Sequence, residues 1–477
     1  MSWHRTLGMA AGLGLGTLSF LPAADDSPGT TPPNILLIMA DDLGARLGCY
    51  GDALAVTPHL DALASEGVLF RNAYCQFPTC GPSRASLMSG RYPFESGYTH
   101  NRGGTYPGYM PTFTSMPRLF RENGYKTARV GKIFHMDIPT GIGQPGTDDP
   151  GGWDTAINPT GWDAQSVNWE KATSWGSQDG PSVRIRYAAP DIEDGDMADG
   201  RGVSDALTLL RDLHPAKTGK PFFLAYGMYR PHPPMLVPKR HWDAINPARI
   251  MLPVVPANDR DDIPAINWHR QGPDYNGIPA DHARSYTHAY YAAVHFVDTL
   301  AGSLIQALKH EGLDGNTIIV VTGDQGFMLG EHGHWHKSSM FAESQRVPLI
   351  IVDPRAKEHG KQVTGLVGLI DVYPTLCALT GVVPRHVLSG ISLKPSLDDV
   401  TAPTKSCEFI MGTPGGFTIR TDRYAYTEWR KGRTRTGDAM LYDLQDDPHE
   451  FTNRIADPAY QAVREELART LQQRISE

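Results

Sequence analysis

Residues 80–84 read Cys80-Gly81-Pro82-Ser83-Arg84, and the run continues Ala85-Ser86-Leu87-Met88-Ser89-Gly90-Arg91. A nucleophile, a helix opening and a fixed cation stand within five residues. Pro82 suits the first position of a helix and Gly90 its end, so the spacing predicts a helix from Pro82 with Cys80 at its N-terminus. Free N–H groups and the helix dipole favour negative charge there, and Arg84 adds a cation one turn in. This arrangement suits attack by residue 80 on an anionic ester. The competing reading is a buried structural cysteine ahead of an ordinary helix.

A second group of residues is acidic. Asp41-Asp42, followed by Gly44, and Asp324-Gln325-Gly326 supply three carboxylates and an amide. Brought together unpaired, three carboxylates would repel and raise one another's pKa. A hard divalent cation resolves that, and all-oxygen ligands suit calcium, with magnesium the alternative. An Asp pair by itself is also a common turn or helix cap. The basic residues are Lys132 and His135 in Gly131-Lys132-Ile133-Phe134-His135, His232 between prolines in Arg230-Pro231-His232-Pro233-Pro234, and Lys337 at the end of Gly330-Glu331-His332-Gly333-His334-Trp335-His336-Lys337. The flanking prolines fix the backbone at His232, although such turns also carry histidines by chance. His332, His334 and His336 invite a zinc reading, set against substrate-facing or simply packed side chains.

These groups can act together only if the fold carries them to one place. Residues 34–39 form a nearly continuous apolar run ending at Asp41-Asp42, as a buried parallel strand does. Three further runs precede the other clusters: 127–130 before Gly131-Lys132, 221–226 before Arg230-Pro231-His232, and 317–321 before Gly323-Asp324-Gln325. Residues 285–310 have helical periodicity through Val294, Val297, Leu300, Leu304, Ile305 and Leu308, with Gly312 as the C-terminal cap. Strands alternating with helices predict an α/β fold, a large mixed and mostly parallel sheet sandwiched by helices. Ligands in such sheets bind beyond the carboxyl ends of the strands, where all four clusters fall. Past residue 400, short strand candidates at 408–410, 417–419, 425–427 and 440–442 and an amphipathic helix over 459–475 predict a smaller antiparallel α+β domain. Residues 136–200 are rich in Gly, Pro, Asp and Trp with little periodicity. A loop this long is usually functional or an insertion. Its Trp153, Trp162, Trp169 and Trp175 either stack on sugar rings or anchor their own loop.

The string from Cys80 to Arg91 resembles the signature of type I sulfatases, Cys-x-Pro-Ser-Arg with a downstream small hydroxyl residue, Gly and Arg. The resemblance implies an alkaline-phosphatase-like fold and hydrolysis of a sulfate ester to an alcohol and inorganic sulfate. In that family the cysteine is oxidised to formylglycine, whose hydrated aldehyde is the nucleophile, so Cys80 implies a formylglycine-generating enzyme or equivalent maturase as partner. By the same resemblance Asp41, Asp42, Asp324 and Gln325 hold calcium together with residue 80. Lys132 and His135 hold and deprotonate the hydrated aldehyde, Arg84 stabilises it, and His232 and Lys337 contact the sulfate and the leaving oxygen. Gln325 stands where the family usually has Asn or His; it keeps the amide oxygen one methylene farther out. Residues 322–337 are similar to the iduronate-2-sulfatase branch, which implies a sulfated saccharide substrate, with His332 facing it. The resemblance extends to Tyr290-Tyr291-Ala292-Ala293 through Asp298 and to Leu441-Tyr442-Asp443-Leu444 with Asp447-Pro448 and Asn453. Tyr98, His100, Asn101 and Arg102, just past the nucleophile helix, either touch the sugar or form an ordinary surface loop.

The 477 residues, 40% of them hydrophobic, allow one large α/β domain and a smaller one. The expected division is a signal peptide over 1–24, a linker over 25–33, a catalytic domain over 34–395 and a C-terminal subdomain over 396–477. His4-Arg5, the apolar run over 7–21 and Pro22-Ala23-Ala24 suggest export to the periplasm or outside, with an uncleaved anchor as the alternative and no stable membrane insertion after cleavage. The net charge of −8 argues against nucleic acid and generic polyanions, so an anionic substrate must be held by local cations. Five cysteines are too few for a disulfide scaffold. Three rivals remain: a phosphodiesterase or phosphonate monoester hydrolase of the same superfamily, an inactive polysaccharide-binding homologue, and a thiol-redox protein using Cys75 and Cys80, whose spacing is not Cys-x-x-Cys.

Overall fold

Asn34–Asp41 is apolar almost to its last residue because protein surrounds it on both edges and both faces. Phe222–Pro231 and Thr317–Gly323 pair with it in parallel, one on each side. Alternate side chains feed two separate cores, Leu36, Ile38 and Ala40 on one face and Ile35, Leu37 and Met39 on the other. In this computed structural model, which describes residues 32–101, 103–175, 185–268, 278–432 and 434–476, that strand lies inside a nine-stranded mixed sheet. Beyond Phe222–Pro231 come Lys126–Gly131 and Thr155–Ile157, all parallel. Beyond Thr317–Gly323 come Leu349–Val352, antiparallel to both its neighbours, then Val68–Tyr74, then Arg346–Val347. Lys361–Gly368 runs parallel to Val68–Tyr74.

The helices divide between the two faces. Ala280–His310 and Ala198–Asp212 cover one core, through Leu300, Leu304, Val203 and Leu210. Cys80–Ser89, Met116–Glu122 and Val372–Thr380 cover the other, through Leu87, Phe120 and Leu376. The sequence placed the four site-bearing strands correctly, each running farther at its carboxyl end than expected, and the long helix begins at Ala280, after Pro279. Gly312 follows it with φ +68. The nucleophile helix starts two residues earlier than Pro82 predicts: Cys80 is its first residue, and Gly90 closes it with φ +65. The described parts of residues 136–200 are short pieces, among them Thr155–Ile157 on the sheet edge and Ile185–Ala188 paired with Met235–Leu236.

Past residue 400, Glu408–Gly412, Gly416–Arg420, Tyr424–Lys431 and Thr434–Asp443 form an antiparallel sheet in chain order. Gln461–Ser476 packs on it through Leu467, Ala468 and Leu471. Pro33–Glu477 is one compact unit that includes both sheets. Buried polar contacts join them: Arg420 pairs with Glu450 and donates to Gln345 Oε1 at 3.1 Å, while Lys405 bridges Asp371 and Glu408 at 2.8 and 2.7 Å. The signal-peptide and linker expectation over 1–31 falls outside the described residues. Among the described residues no helix is long and apolar enough to cross a membrane.

One close approach sets the site's geometry. Gly131, the last residue of its strand with φ +71, lies opposite Gly227 within the paired strand, and Lys132 N donates to Gly227 O at 2.9 Å. A Cβ on Gly227 would sit 2.1 Å from the Lys132 carbonyl oxygen, a collision with backbone that no rotamer relieves. Gly227→Ala is therefore expected to destabilise the fold by about 1–3 kcal/mol or more, read from urea unfolding. An unchanged midpoint would mean that the turn carrying Lys132 is not held this way.

Candidate active site

The carboxyl ends of four adjacent strands deliver Asp41 and Asp42, Asp324, Lys132 and His232, and the opening turn of the nucleophile helix faces them. Asp42 adopts φ +65, which its short polar side chain tolerates. Tyr290 on the long helix holds that turn, donating its hydroxyl to Asp42 O at 2.9 Å and accepting from Gly44 N at 3.1 Å. Asp42 N donates to Asp324 Oδ1 at 2.9 Å, tying two strand ends together. Asn101 Oδ1 accepts from Gly81 N at 2.8 Å, so this residue caps the nucleophile helix. The sequence offered no signal for Tyr290 in this role, because its partners lie 246 and 248 residues away.

Three cations interleave with three carboxylates. Arg84, fully buried, donates through Nε to Asp324 Oδ2 at 2.7 Å and through one terminal nitrogen to Asp41 Oδ1 at 3.4 Å. Its other terminal nitrogen reaches the carbonyls of Lys132 and Ile133 at 2.5 and 3.1 Å. Lys132 Nζ lies 2.5 Å from Asp41 Oδ2. Lys337 Nζ lies 2.5 Å from Asp42 Oδ1 and 3.0 Å from Cys80 Sγ. Burial alone would raise Asp41, but Lys132, His232, Arg84 and Lys337 together hold it well below the carboxylate range. Burial pushes Asp42 up to about 7, with Lys337 opposing and Asp41 and Asp324 adding to the push. Burial likewise raises Asp324 against the pull of Arg84. The Cys80 thiol goes up to about 12 through burial and the Asp41 charge. As a thiol it is protonated at neutral pH and a poor nucleophile.

The donor set fits a divalent cation. Asp41, Asp42 and Asp324 each offer an oxygen, and these oxygens lie within 4.8 Å of one another. Asp42 Oδ2 and Gln325 Oε1 are buried without a hydrogen-bond partner, a costly state that a cation relieves. Gln325 also donates to Asp42 and lies 3.6 Å from Cys80 Sγ. Asp41, Cys80 and His232 form a second grouping at the same place.

His135 is buried and His232 half-buried, and both are shifted toward the neutral form. His135 is lowered to about 2 by burial and by Lys132; its Nε2 lies 3.3 Å from Asp137 and its Nδ1 has no partner. His232 is held well below its usual value by burial and by Lys337. Its Nδ1 donates to Pro233 O at 2.6 Å, and Nε2 stands 3.9 Å from Asp42 Oδ2.

Other expectations need correction. His332 is 1% exposed, pairs with Asp259 at 3.1 Å and stacks on Phe341, so it cannot face a saccharide. His334 stacks on Trp268 and His336 on Phe327, with Tyr286 OH 2.8 Å from His336 Nε2. The alternating histidines thus pack into the protein, and among the described residues they form no zinc group. Trp153 is buried and donates to Asp148, anchoring its own loop. His100 is exposed beside Tyr98 at the end of the nucleophile segment. Arg102 lies outside the described residues.

Comparison with known proteins agrees with this geometry. A family model described as Sulfatase matches residues 33–382, and one described as N-sulphoglucosamine sulphohydrolase, C-terminal, matches residues 330–477. The chain is 33% identical to iduronate 2-sulfatase of Mus musculus, over 79% of this chain and 74% of the relative. It is 27% identical to N-acetylglucosamine-6-O-sulfatase of Bacteroides thetaiotaomicron, over 97% and 89%. A structure solved in complex with its substrate D-glucosamine-2-N,6-O-disulfate superposes with a TM-score of 0.71 at 25% identity, covering 93% of this chain and 97% of that one. The phosphonate monoester hydrolase of Agrobacterium radiobacter superposes at 0.76 over 92% and 95%; at 24% identity it shows the shared fold.

If the carboxylates hold a cation in the folded protein, calcium or magnesium will raise the melting temperature above that of chelator-treated protein, because the ion binds the native state alone. Gln325→Ala should shrink that increment more than Gln325→Asn, which keeps an amide oxygen. A melting temperature indifferent to both ions would remove the cluster as a metal site.

Proposed function

We propose, on the premise that the chain belongs to the sulfatase family and is a sulfuric ester hydrolase, that it removes sulfate from a sulfated uronic-acid or related saccharide unit, using residue 80 as formylglycine. The observation that carries this reading is the position of Cys80: first residue of a helix, 3.0 Å from Lys337 Nζ, beside three clustered carboxylates. A thiol pushed up to about 12 does no useful chemistry there, which favours conversion and disfavours the thiol-redox alternative. The saccharide assignment rests on relatives named for iduronate and N-acetylglucosamine sulfates.

When present, an aldehyde at residue 80 supplies, in hydrated form, one hydroxyl to attack sulfur and a second whose ionisation frees sulfate. A divalent cation, calcium by preference, would be held by Asp41, Asp42, Asp324 and Gln325 with residue 80, and would supply positive charge beside the sulfate oxygens. The chain's own residues do the rest. Arg84, Lys132 and Lys337 carry three positive charges against the three carboxylates, so the protein alone is near neutral at this point and any bound cation makes it attract an anion. Lys132 helps hold the hydrated group at residue 80, and Lys337 holds a sulfate oxygen. His232 Nε2 takes up the proton that the attacking hydroxyl releases and passes it to the departing alcohol, with Lys337 beside it, and His135 takes the proton of the second hydroxyl. The proposed organisation is a catalytic domain over 34–395 with a C-terminal subdomain, exported by residues 1–24.

The shared fold with a phosphonate monoester hydrolase makes the choice of ester the first test. The protein should hydrolyse 4-nitrophenyl sulfate, and within a panel of defined sulfated saccharides a uronic-acid sulfate, faster than bis(4-nitrophenyl) phosphate; preference for the phosphodiester would overturn the assignment. Cys80→Ser tests the diol. Serine offers one hydroxyl where two are needed, so steady-state turnover should be lost while a sulfated protein accumulates under excess substrate. Sustained multiple turnovers by the serine variant would show that the second hydroxyl is dispensable.

A further inference from the structure

Arg230 is fully buried, two residues before His232, and all three of its guanidinium nitrogens are engaged. Nε donates to Leu236 O at 2.9 Å, one terminal nitrogen to His232 O at 3.0 Å, and the other to Asp163 Oδ2 at 2.8 Å. The first two acceptors lie on the turn that carries His232, so the guanidinium ties the middle of that turn to its far end. The third partner comes from residues 136–200, the long segment whose purpose the sequence left open. Asp163 is itself fully buried; its other oxygen accepts from Ala198 N at 2.9 Å, fixing it against the start of Ala198–Asp212. Asp199, on that same first turn, accepts from the backbone N–H groups of Tyr229 and Arg230 at 2.7 and 3.0 Å. The strand end before His232 and the turn after it are therefore both pinned to one helix start.

This is a costly construction for an ordinary turn. A buried guanidinium is tolerated only when its charge is paired and its nitrogens are hydrogen-bonded, and here one carboxylate and two carbonyls meet all three nitrogens around a single histidine. We propose that Arg230 and Asp163 are positioning residues for His232: they fix the turn so that Nε2, the nitrogen left over once Nδ1 donates to Pro233 O, meets the leaving oxygen. Neither residue touches the substrate. The inference rests on the proposed role of His232 as donor of the leaving-group proton.

Leaving-group dependence tests it. 4-Nitrophenolate leaves readily without a proton, whereas phenolate leaves far more easily with one. kcat is measured on 4-nitrophenyl sulfate and on phenyl sulfate for the full-length protein and for Asp163→Asn, Arg230→Lys and His232→Ala. Both rates come from the same sample, so any loss of folded protein cancels in their ratio. Lysine keeps the charge of Arg230 but cannot bond three acceptors in one plane. For Asp163→Asn and Arg230→Lys, kcat on phenyl sulfate should fall about tenfold further than on 4-nitrophenyl sulfate, in the direction set by His232→Ala and short of the hundredfold or more that outright loss of a proton donor costs. If His232→Ala shows this bias and the other two variants lower both rates equally, the positioning proposal is overturned while the role of His232 stands. If His232→Ala shows no bias, the role of His232 is wrong and the proposal falls with it.

Discussion

Three carboxylates, a thiol position and three cations share a space from which water is largely excluded, and the fold must keep their charges matched. Isolated, any one of them would be expelled or neutralised. Arg84 is the member that makes the rest compatible. It pairs with Asp41 and Asp324 and also donates to the carbonyl of Lys132, so one guanidinium sets the separation of three strand ends. Removing one partner from a buried pair of this kind costs about 3–5 kcal/mol, which makes the cluster as much a condition of folding as of chemistry. Cys80 heads the helix that carries Arg84, so the reacting atom and the central cation move as one body.

The surrounding structure is arranged to leave that balance undisturbed. The Asp41 strand is paired on both edges and packed on both faces, which fixes the depth of the two aspartates. Tyr290 secures the left-handed turn at Asp42 from the opposite layer. Gly131 and Gly227 let the Lys132 turn cross its neighbour at backbone contact. The segment bearing Lys337 is fastened to the C-terminal sheet through Gln345 and Arg420 and through Glu450, which accepts from Ala342 N at 2.8 Å. The second sheet thereby supports the lysine nearest residue 80 without entering the site.

Much of this was legible in the sequence, for a physical reason. Buried parallel strands are continuous apolar runs that stop where polar chemistry begins, so the four site-bearing strands announce themselves together with their clusters. Leu349–Val352 and Val68–Tyr74 escaped notice, the first because four apolar residues match a strand or a helix fragment equally well, the second because Arg71 and Asn72 interrupt its pattern. The histidines show a different limit. His332 and His232 look alike as letters in polar surroundings, and only the fold decides that one stacks on Phe341 while the other stands beside Asp42. Arg230 and Asp163 were invisible because most of Arg230's acceptors are backbone carbonyls, and no residue type marks a carbonyl.

Everything said about turnover depends on what residue 80 is in the active protein. The direct measurement is the mass of the proteolytic peptide carrying residue 80, taken from the sample whose sulfate release has been recorded. A mass deficit at that position, from oxygen replacing sulfur, in proportion to specific activity across preparations is the predicted result. Full activity in a preparation whose residue 80 is wholly unmodified cysteine would contradict the account.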